Sequence, residues 1–313
     1  MKGKWFLTLS IIGILVVVGL SLSLYFAFKP PANIGITITD DLNRTVDING
    51  VPQRIVSHVP SITETLFALG AGEKVVGVSD YCDYPEEARL KPSVGSYFDP
   101  SMENIVALDP DLVLTDGHSE SIKPLDNMGI TYLVVDPRDI DGVFRDIELL
   151  GKVTGTNKEA GKLIENMQKR ISYVSARVEG VPRPKVFYVI DATEPSNPWT
   201  AGPGSFIDSL ITMAGGENIG AKALSPWAIF SIEQIVSSDP EIIILSVRHG
   251  TAFTSAEVLR GHPAWQETTA VKQNRIYVID GDLVDRTGPR IVDGLEEFAR
   301  IIHPELFLER MGE

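Results

Sequence analysis

One stretch of this sequence occurs twice, once in each half of the chain. Residues 101 to 114 read SMENIVALDPDLVL, and residues 231 to 244 read SIEQIVSSDPEIII, so Ser, Glu, Ile, Val, Asp and Pro recur in register. Each copy predicts a short helix with a Ser N-cap, an Asp-Pro pair that ends the helix, and then a buried strand. A repeat that places one copy in each half predicts two pseudo-symmetric lobes.

Short apolar runs alternate with helical patterns in both halves. They are too short for ordinary helices and are bounded by Gly, Pro or Asp, which is typical of buried strands. The runs are RIVSH at 54–58, KVVGV at 74–78, DLVLT at 111–115, TYLVVD at 131–136, KVFYVID at 185–191, EIIILSV at 241–247 and RIYVID at 275–280. Strands that alternate with helices predict an α/β fold.

The segment between the two halves predicts a single long helix. Apolar residues from Ala160 to Val178 fall on one helical stripe, Thr156-x-x-Glu159 has the spacing of a capping box, and Gly180 follows the stripe. We therefore expect an N-terminal α/β lobe at 36–155, a connecting helix within 156–181 and a C-terminal α/β lobe at 182–313.

The N-terminus carries an uncharged apolar run from Trp5 to Phe28. As a helix it is about 36 Å long, enough to span a hydrocarbon core of about 30 Å. Lys2 and Lys4 precede it, which predicts that the rest of the chain lies outside the cytoplasm. We expect residues 1–29 to be a transmembrane anchor and 30–35 a linker; the alternative is a cleaved signal peptide, whose apolar core is normally shorter.

The charge and the motifs exclude several classes of protein. Beyond residue 30 the chain has 25 basic against 42 acidic side chains, which disfavours nucleic-acid binding. The single cysteine, Cys82, excludes a disulfide framework. There is no P-loop, nucleophile elbow or dinucleotide turn, and the five histidines lack zinc-site spacing. We therefore expect a protein that is not an enzyme and has no intrinsic cofactor; the distant alternative is an α/β enzyme without a recognisable motif, since 42 carboxylates could include a catalytic pair.

Aromatic side chains stand near strand ends or just before each repeat. In open α/β sheets, ligands bind beyond the carboxyl ends of the strands, so these side chains predict a flat, largely apolar pocket between the lobes. The residues are Tyr81, Tyr97, Phe98, Trp199 and Trp227.

Several charged residues have two interpretations. Asp282 and Arg286 have the spacing of an ordinary helical ion pair. Their loop also follows the last strand, where both side chains could contact the polar edge of a ligand. His118 and His249 follow the two repeat strands, either as polar loop residues or as ligands to a metal carried by the bound molecule.

Three glutamates also allow a local explanation. Glu103 and Glu233 occupy equivalent first-turn positions, where an acid complements the helix dipole; they are equally placed to meet a two-fold partner bearing arginines. Glu64, in Ser61-x-x-Glu64, is interpreted as part of a capping box.

Taken together, these residues resemble the substrate-binding proteins of ABC importers for iron siderophores, haem and cobalamin, and most closely the cobalamin-binding members. The resemblance covers residues 36 to 305. The motifs that carry it are RIVSHVPSITETLFALG, VVGVSDYCDYPEEA, VGSYFDPSMENIVALDPDLVL, MAGGENIG, WAIFSIEQIVSSDPEIIIL and GHPAWQETTAVKQNRIYVIDGD. Asp116 is a departure, since cobalamin binders tend to have an aromatic residue there.

The resemblance implies an extracytoplasmic protein that captures a corrinoid, or alternatively haem or a ferric siderophore, between two lobes. It implies ligand contacts at Tyr81, Tyr97, Trp199, Trp227 and the Asp282–Arg286 pair. It also implies docking of Glu103 and Glu233 on an ABC permease dimer, which works with cytoplasmic ATPase subunits.

Overall fold

The computed structural model describes residues 35–307 apart from 118–121, 249–250 and 253. The predicted membrane segment at 1–29 therefore lies outside the described residues. Among the residues described, no helix is both long enough and apolar enough to cross a membrane.

The first lobe is a parallel sheet flanked by helices and preceded by the antiparallel pair β1 and β2. The strands are β1 (Ile36–Thr39), β2 (Thr45–Ile48), β3 (Ile55–Ser57), β4 (Val75–Val78), β5 (Leu112–Thr115) and β6 (Tyr132–Val134). The helices are α1 (Pro60–Ala68), α2 (Met102–Ala107), α3 (Pro124–Met128) and α4 (Ile140–Thr154).

The second lobe has its own parallel sheet, with a separate two-stranded pair, β8 and β10, beside it. The strands are β7 (Lys185–Val189), β8 (Trp199–Ala201), β9 (Glu217–Asn218), β10 (Trp227–Ile229), β11 (Ile242–Arg248), β12 (Thr251–Ala252) and β13 (Ile276–Asp280). The helices are α6 (Phe206–Met213), α7 (Ile232–Ser238), α8 (Ala256–Gly261), α9 (Thr269–Lys272), α10 (Asp282–Asp285) and α11 (Ile291–Ile302).

The two main sheets share one strand order. The first runs β4-β3-β5-β6 and the second runs β9-β7-β11-β13, with every one of these pairs parallel. Parallel sheets are buried on both faces, which accounts for the uninterrupted apolar runs that identify β5 and β11 in the sequence. The α/β class predicted from the sequence is confirmed.

The repeated segments fold alike. The Ser101 side chain accepts the backbone N–H of Asn104 and caps α2, and Ser231 caps α7 through Gln234 in the same way. Asp109 and Asp239 then both end the helix with a positive φ, at 44° and 48°. Each copy therefore delivers its strand to the centre of its own sheet.

The connecting helix, α5, spans Asn157–Val178 and packs against α4 and α11. The predicted capping box at its start is wrong: the Thr156 hydroxyl lies 2.7 Å from the hydroxyl of Thr154 and makes no cap hydrogen bond. One apolar cluster continues from the first sheet along α5 into the second sheet, so the helix joins the lobes through a common core.

Candidate functional site

A cleft of about 900 Å³ opens where the loops that follow the strands of both lobes meet. Its lining comes after β3, β4, β5, β6 and β13, together with the start of α6 and the strand β10. This is where ligands bind in open α/β sheets. The described lining residues are Val59, Pro60, Ser61, Tyr81, Tyr97, Phe98, Asp116, Val135, Asp136, Pro137, Arg138, Gly204, Ser205, Phe206, Pro226, Trp227, Asp282, Val284, Asp285, Arg286 and Thr287.

Aromatic rings line the cleft from both lobes. Tyr81, Tyr97 and Phe98 come from the first lobe, and Phe206 and Trp227 come from the second. Phe98 is 78% exposed and Trp227 is 49% exposed, so large apolar surfaces face the open cleft. Such surface left in water is typical of a binding site for an apolar ligand.

Trp199 is placed differently from the other predicted aromatics. It lies directly opposite Ile229 in the small β8–β10 sheet, whereas Trp227 pairs with Ala201. Trp199 is 43% exposed but is absent from the described lining of the cleft. It therefore flanks the cavity on the sheet that carries Trp227.

Tyr97 is held between a buried histidine and a carboxylate. Its ring stacks on His58 with centroids 5.5 Å apart, and its hydroxyl donates to the carboxylate of Asp116. Burial, together with the hydrogen bond and the charge of Asp116, raises the pKa of the Tyr97 phenol well above its usual value. Burial also lowers the pKa of His58, so an uncharged imidazole ring stacks on the uncharged phenol ring of Tyr97.

Arg286 lies at the boundary between the lobes and is only 8% exposed. Its guanidinium is 2.9 Å from Glu64 Oε1 and 2.7 Å from Asp83 Oδ1, both in the first lobe, and 3.1 Å from Asp282 Oδ2 in its own lobe. The helical pairing of Arg286 with Asp282 is thus present, and it belongs to a larger network. Both residues also line the cleft, so the two interpretations of this pair are compatible.

Arg290 completes this network. It donates to both carboxylate oxygens of Glu64, at 2.7 and 2.8 Å, and its guanidinium lies 3.9 Å from the centroid of the Tyr84 ring. Burial alone would lower the pKa of both arginines, but hydrogen bonds outweigh it and raise both values. These bonds join Arg286 to Asp83 and Glu64, and Arg290 to Glu64. We call Glu64, Asp83, Asp282, Arg286 and Arg290 the interlobe network.

The sequence interpretation of Glu64 as part of a capping box is wrong. Helix α1 begins at Pro60 with Val59 as its N-cap, and that cap makes no side-chain hydrogen bond. Glu64 is instead 3% exposed and accepts hydrogen bonds from two arginines of the other lobe. Local spacing carries no signal for partners so distant in the chain.

A second charged group, in the first lobe, follows β6. Arg138 donates to Asp136 at 2.6 Å, and the backbone N–H of Asp136 donates to Asp41. Asp146 is buried against these carboxylates; burial and the charges of Asp41 and Asp136 raise its pKa to about 8. Sequence reasoning missed Asp136 and Arg138, although Asp136 ends the predicted strand run TYLVVD and Arg138 follows it, which was an available signal.

The two repeat glutamates lie on the surface. Glu103 and Glu233 are both exposed, each in the first turn of its short helix, and the residue two positions later, Ile105 or Ile235, is fully buried. Hydrogen bonds from its own backbone N–H and from the Ser231 hydroxyl lower the pKa of the Glu233 carboxyl. Both carboxylates are therefore open to a partner outside the chain.

The predicted histidines, His118 and His249, lie outside the described residues. Within the described ranges, no group of three or more His, Cys, Asp or Glu side chains is arranged to hold a metal ion. Cys82 is buried and its thiol pKa is raised by that burial, as a structural cysteine requires.

A family model described as "Periplasmic binding protein" matches residues 55–283. The "Uncharacterized ABC transporter substrate-binding lipoprotein YvrC" of Bacillus subtilis is 33% identical over 281 residues, covering 88% of this chain and 87% of the relative. A "Cobalamin-binding protein" of Halobacterium salinarum is 30% identical over 278 residues, covering 86% of this chain and 74% of that protein.

A solved structure gives a similar result. The periplasmic vitamin B12 binding protein BtuF of Vibrio cholerae superposes with a TM-score of 0.68 at 26% identity, covering 81% of this chain and 97% of that one. The similarity therefore extends through both lobes and the helix that joins them.

Proposed function

Because this chain belongs to the periplasmic binding protein family, an extracytoplasmic family of ABC-importer substrate-binding proteins and not enzymes, we propose that its ligand is a corrinoid held between the two lobes. The family binds vitamin B12, haem or siderophores. Relatives named for cobalamin or vitamin B12 favour the first of these ligands.

The observation that carries this proposal is the composition of the cleft. Aromatic rings and aspartates from both lobes face one cavity of about 900 Å³. A corrinoid is a large, flat macrocycle edged with amides, so its faces suit the rings and its amide N–H groups suit carboxylate acceptors. We propose Tyr81, Tyr97, Phe98, Trp227, Asp282 and Arg286 as ligand contacts, with Trp199 contacting the outer edge.

Haem or a ferric siderophore is the alternative ligand within the same family. A tyrosine that ligates ferric iron does so as a phenolate, whereas the Tyr97 hydroxyl keeps its proton and donates a hydrogen bond to Asp116. Haem propionates and anionic siderophores also call for cationic partners, whereas Arg138 and Arg286 are paired with carboxylates. Both features favour the corrinoid.

Delivery to the permease is proposed to use Glu103 and Glu233. They are exposed, equivalent in the repeat and one to each lobe. A permease dimer offers two-fold related surfaces, and arginines there would complement one glutamate from each lobe. The residues at 1–29 are proposed to anchor the protein beside this permease, which works with cytoplasmic ATPase subunits.

The ligand proposal is tested by co-purification. The full-length protein in detergent is incubated with equimolar cyanocobalamin, haemin and a ferric hydroxamate and is then passed through a desalting column. The absorbance spectrum of the protein fraction identifies the ligand that remains bound. We expect the corrinoid spectrum to travel with the protein. A haem or ferric hydroxamate spectrum in its place would overturn the proposal and favour the alternative.

A further inference from the structure

The charged side chains that line the cleft are mostly acidic. Among the described lining residues there are four aspartates, two arginines, and no lysine or histidine. The aspartates come from the segments that follow three different strands, β5, β6 and β13, and belong to both lobes. The aspartates are Asp116, Asp136, Asp282 and Asp285.

Both arginines are matched by carboxylates. Arg138 is 2.6 Å from Asp136. Arg286 is held by Glu64, Asp83 and Asp282 within the interlobe network. Asp83 lies in addition 3.7 Å from Arg89. A carboxylate on an incoming ligand would therefore compete with carboxylates of the protein for each of these cations.

Asp116 adds an acceptor near the aromatic wall. The Tyr97 hydroxyl donates a hydrogen bond to Asp116 and keeps its proton, so the negative charge of this pair belongs to the carboxylate. The high pKa of the Tyr97 phenol agrees with that assignment. The polar part of the cleft consequently accepts hydrogen bonds and disfavours negative charge.

We propose that the cleft aspartates select the ligand by the charge of its edge, accepting peripheral amides and rejecting peripheral carboxylates. This inference rests on the proposed corrinoid function and goes further, because it states which modified corrinoids the protein discriminates against. An amide N–H donates to a carboxylate, whereas two carboxylates brought together repel each other. The repulsion is screened less in a partly enclosed cleft than in bulk water.

The probes are cyanocobalamin and its monocarboxylic acids, in which one propionamide has been hydrolysed to a propionate. The corrin ring, the cobalt and both axial ligands are unchanged, so axial coordination contributes equally to every measurement. At pH 7 we expect at least one monocarboxylic acid to bind the full-length protein at least about tenfold more weakly than cyanocobalamin. Equal affinity for every isomer would overturn the charge-selection inference and leave the proposed function intact.

Two variants identify the residues responsible. Asp136→Asn removes a carboxylate and releases Arg138 from its pair. Asp285→Asn removes a carboxylate of the other lobe whose oxygens are buried, so this variant tests the effect of its charge and not a hydrogen bond to the ligand. For each variant we measure the Kd of the weakly binding monocarboxylic acid divided by the Kd of cyanocobalamin. We expect at least one of the two variants to lower this Kd ratio at least about threefold. The matched control is Asp141→Asn, an exposed first-turn aspartate of α4 that does not line the cleft.

Each outcome has a distinct meaning. A ratio lowered in a cleft variant and unchanged in Asp141→Asn supports selection by the cleft. A ratio unchanged in both cleft variants overturns it, even if the monocarboxylic acids bind weakly to the wild type. Failure of the wild type to bind any of these corrinoids would overturn the inference together with the proposed function.

Discussion

Glu64 and Arg286 lie 2.9 Å apart at the lobe boundary, although 222 positions separate them in the sequence. The Glu64 side chain is 2% exposed and that of Arg286 is 7% exposed. A buried charge without its partner is strongly unfavourable, so this contact and those of Arg290 fix how the lobes meet. Because Arg286 also lines the cleft, the geometry of the ligand site depends on the same contact.

Removing the charge of Glu64 should destabilise the protein. We expect Glu64→Gln to lower the free energy of unfolding by about 1–3 kcal/mol, because the half-buried Arg290 loses the carboxylate of Glu64 while Arg286 keeps Asp83 and Asp282. Urea denaturation measures this change. The control is Glu165→Gln, which breaks an exposed pair with Lys169 and should alter stability little. Equal effects of the two variants would contradict the structural role given to Glu64.

Two substitutions of Tyr97 distinguish a role of its ring in stacking on the ligand from a role of its hydroxyl in binding iron. We expect Tyr97→Phe to weaken cyanocobalamin binding by less than about fivefold, since the ring remains. Tyr97→Ala should weaken it by at least about tenfold, because the ring surface is lost. Equilibrium dialysis gives both values. Loss of binding in Tyr97→Phe as severe as in Tyr97→Ala would point to a role for the hydroxyl that a corrinoid contact does not require.

Asp146 predicts a pH dependence of stability. Its pKa is raised to about 8 in the folded protein, mainly by burial, against 3.8 for an ordinary aspartate. Between these values the folded state holds a proton that the unfolded state releases, so this group's contribution to stability falls as pH rises and levels off above about pH 8. The slope is at most about 1.4 kcal/mol per pH unit.

Asp146→Asn should remove this contribution. In urea titrations from pH 5 to 9, we expect the variant to gain stability relative to the wild type as pH rises. Parallel curves for the two proteins across this range would contradict a buried, protonated Asp146.

Substitutions of Glu103 and Glu233 test docking on the permease separately from binding of the ligand. Reversing both charges, Glu103→Lys with Glu233→Lys, should abolish uptake of labelled corrinoid in cells that carry the permease. Affinity for the ligand should remain within about twofold, because neither side chain lines the cleft. Glu257→Lys is the matched control: Glu257 is also an exposed first-turn glutamate two residues after a capping serine. Loss of affinity in the double variant would contradict the docking role.

The sequence predicts the α/β class and the two sheets because the signals are local. Apolar runs identify β5, β7, β11 and β13, and the repeated Ser and Asp-Pro positions delimit α2 and α7. The positions of Tyr81 and Asp116 in the cleft follow from general topology, because parallel strands expose their carboxyl ends at one edge. These parts of the site need no knowledge of long-range contacts.

Other parts depend on contacts that local patterns do not encode. The spacing Ser61-x-x-Glu64 resembles a capping box, yet Glu64 turns to arginines of the other lobe. Trp199 has the same kind of loop context as Trp227, but strand register sets it opposite Ile229 and outside the cleft lining. In both cases contacts between distant parts of the chain decide where the side chain lies.

The central claim is that a corrinoid binds between the lobes, and calorimetry with cyanocobalamin tests it most directly. Wild-type protein, Tyr81→Ala and Trp227→Ala are titrated under identical conditions, so that one aromatic contact is removed from each lobe. We predict one ligand per wild-type protein, and affinity reduced at least about tenfold in both variants. No binding to the wild type, or unchanged affinity in both variants, would contradict the claim.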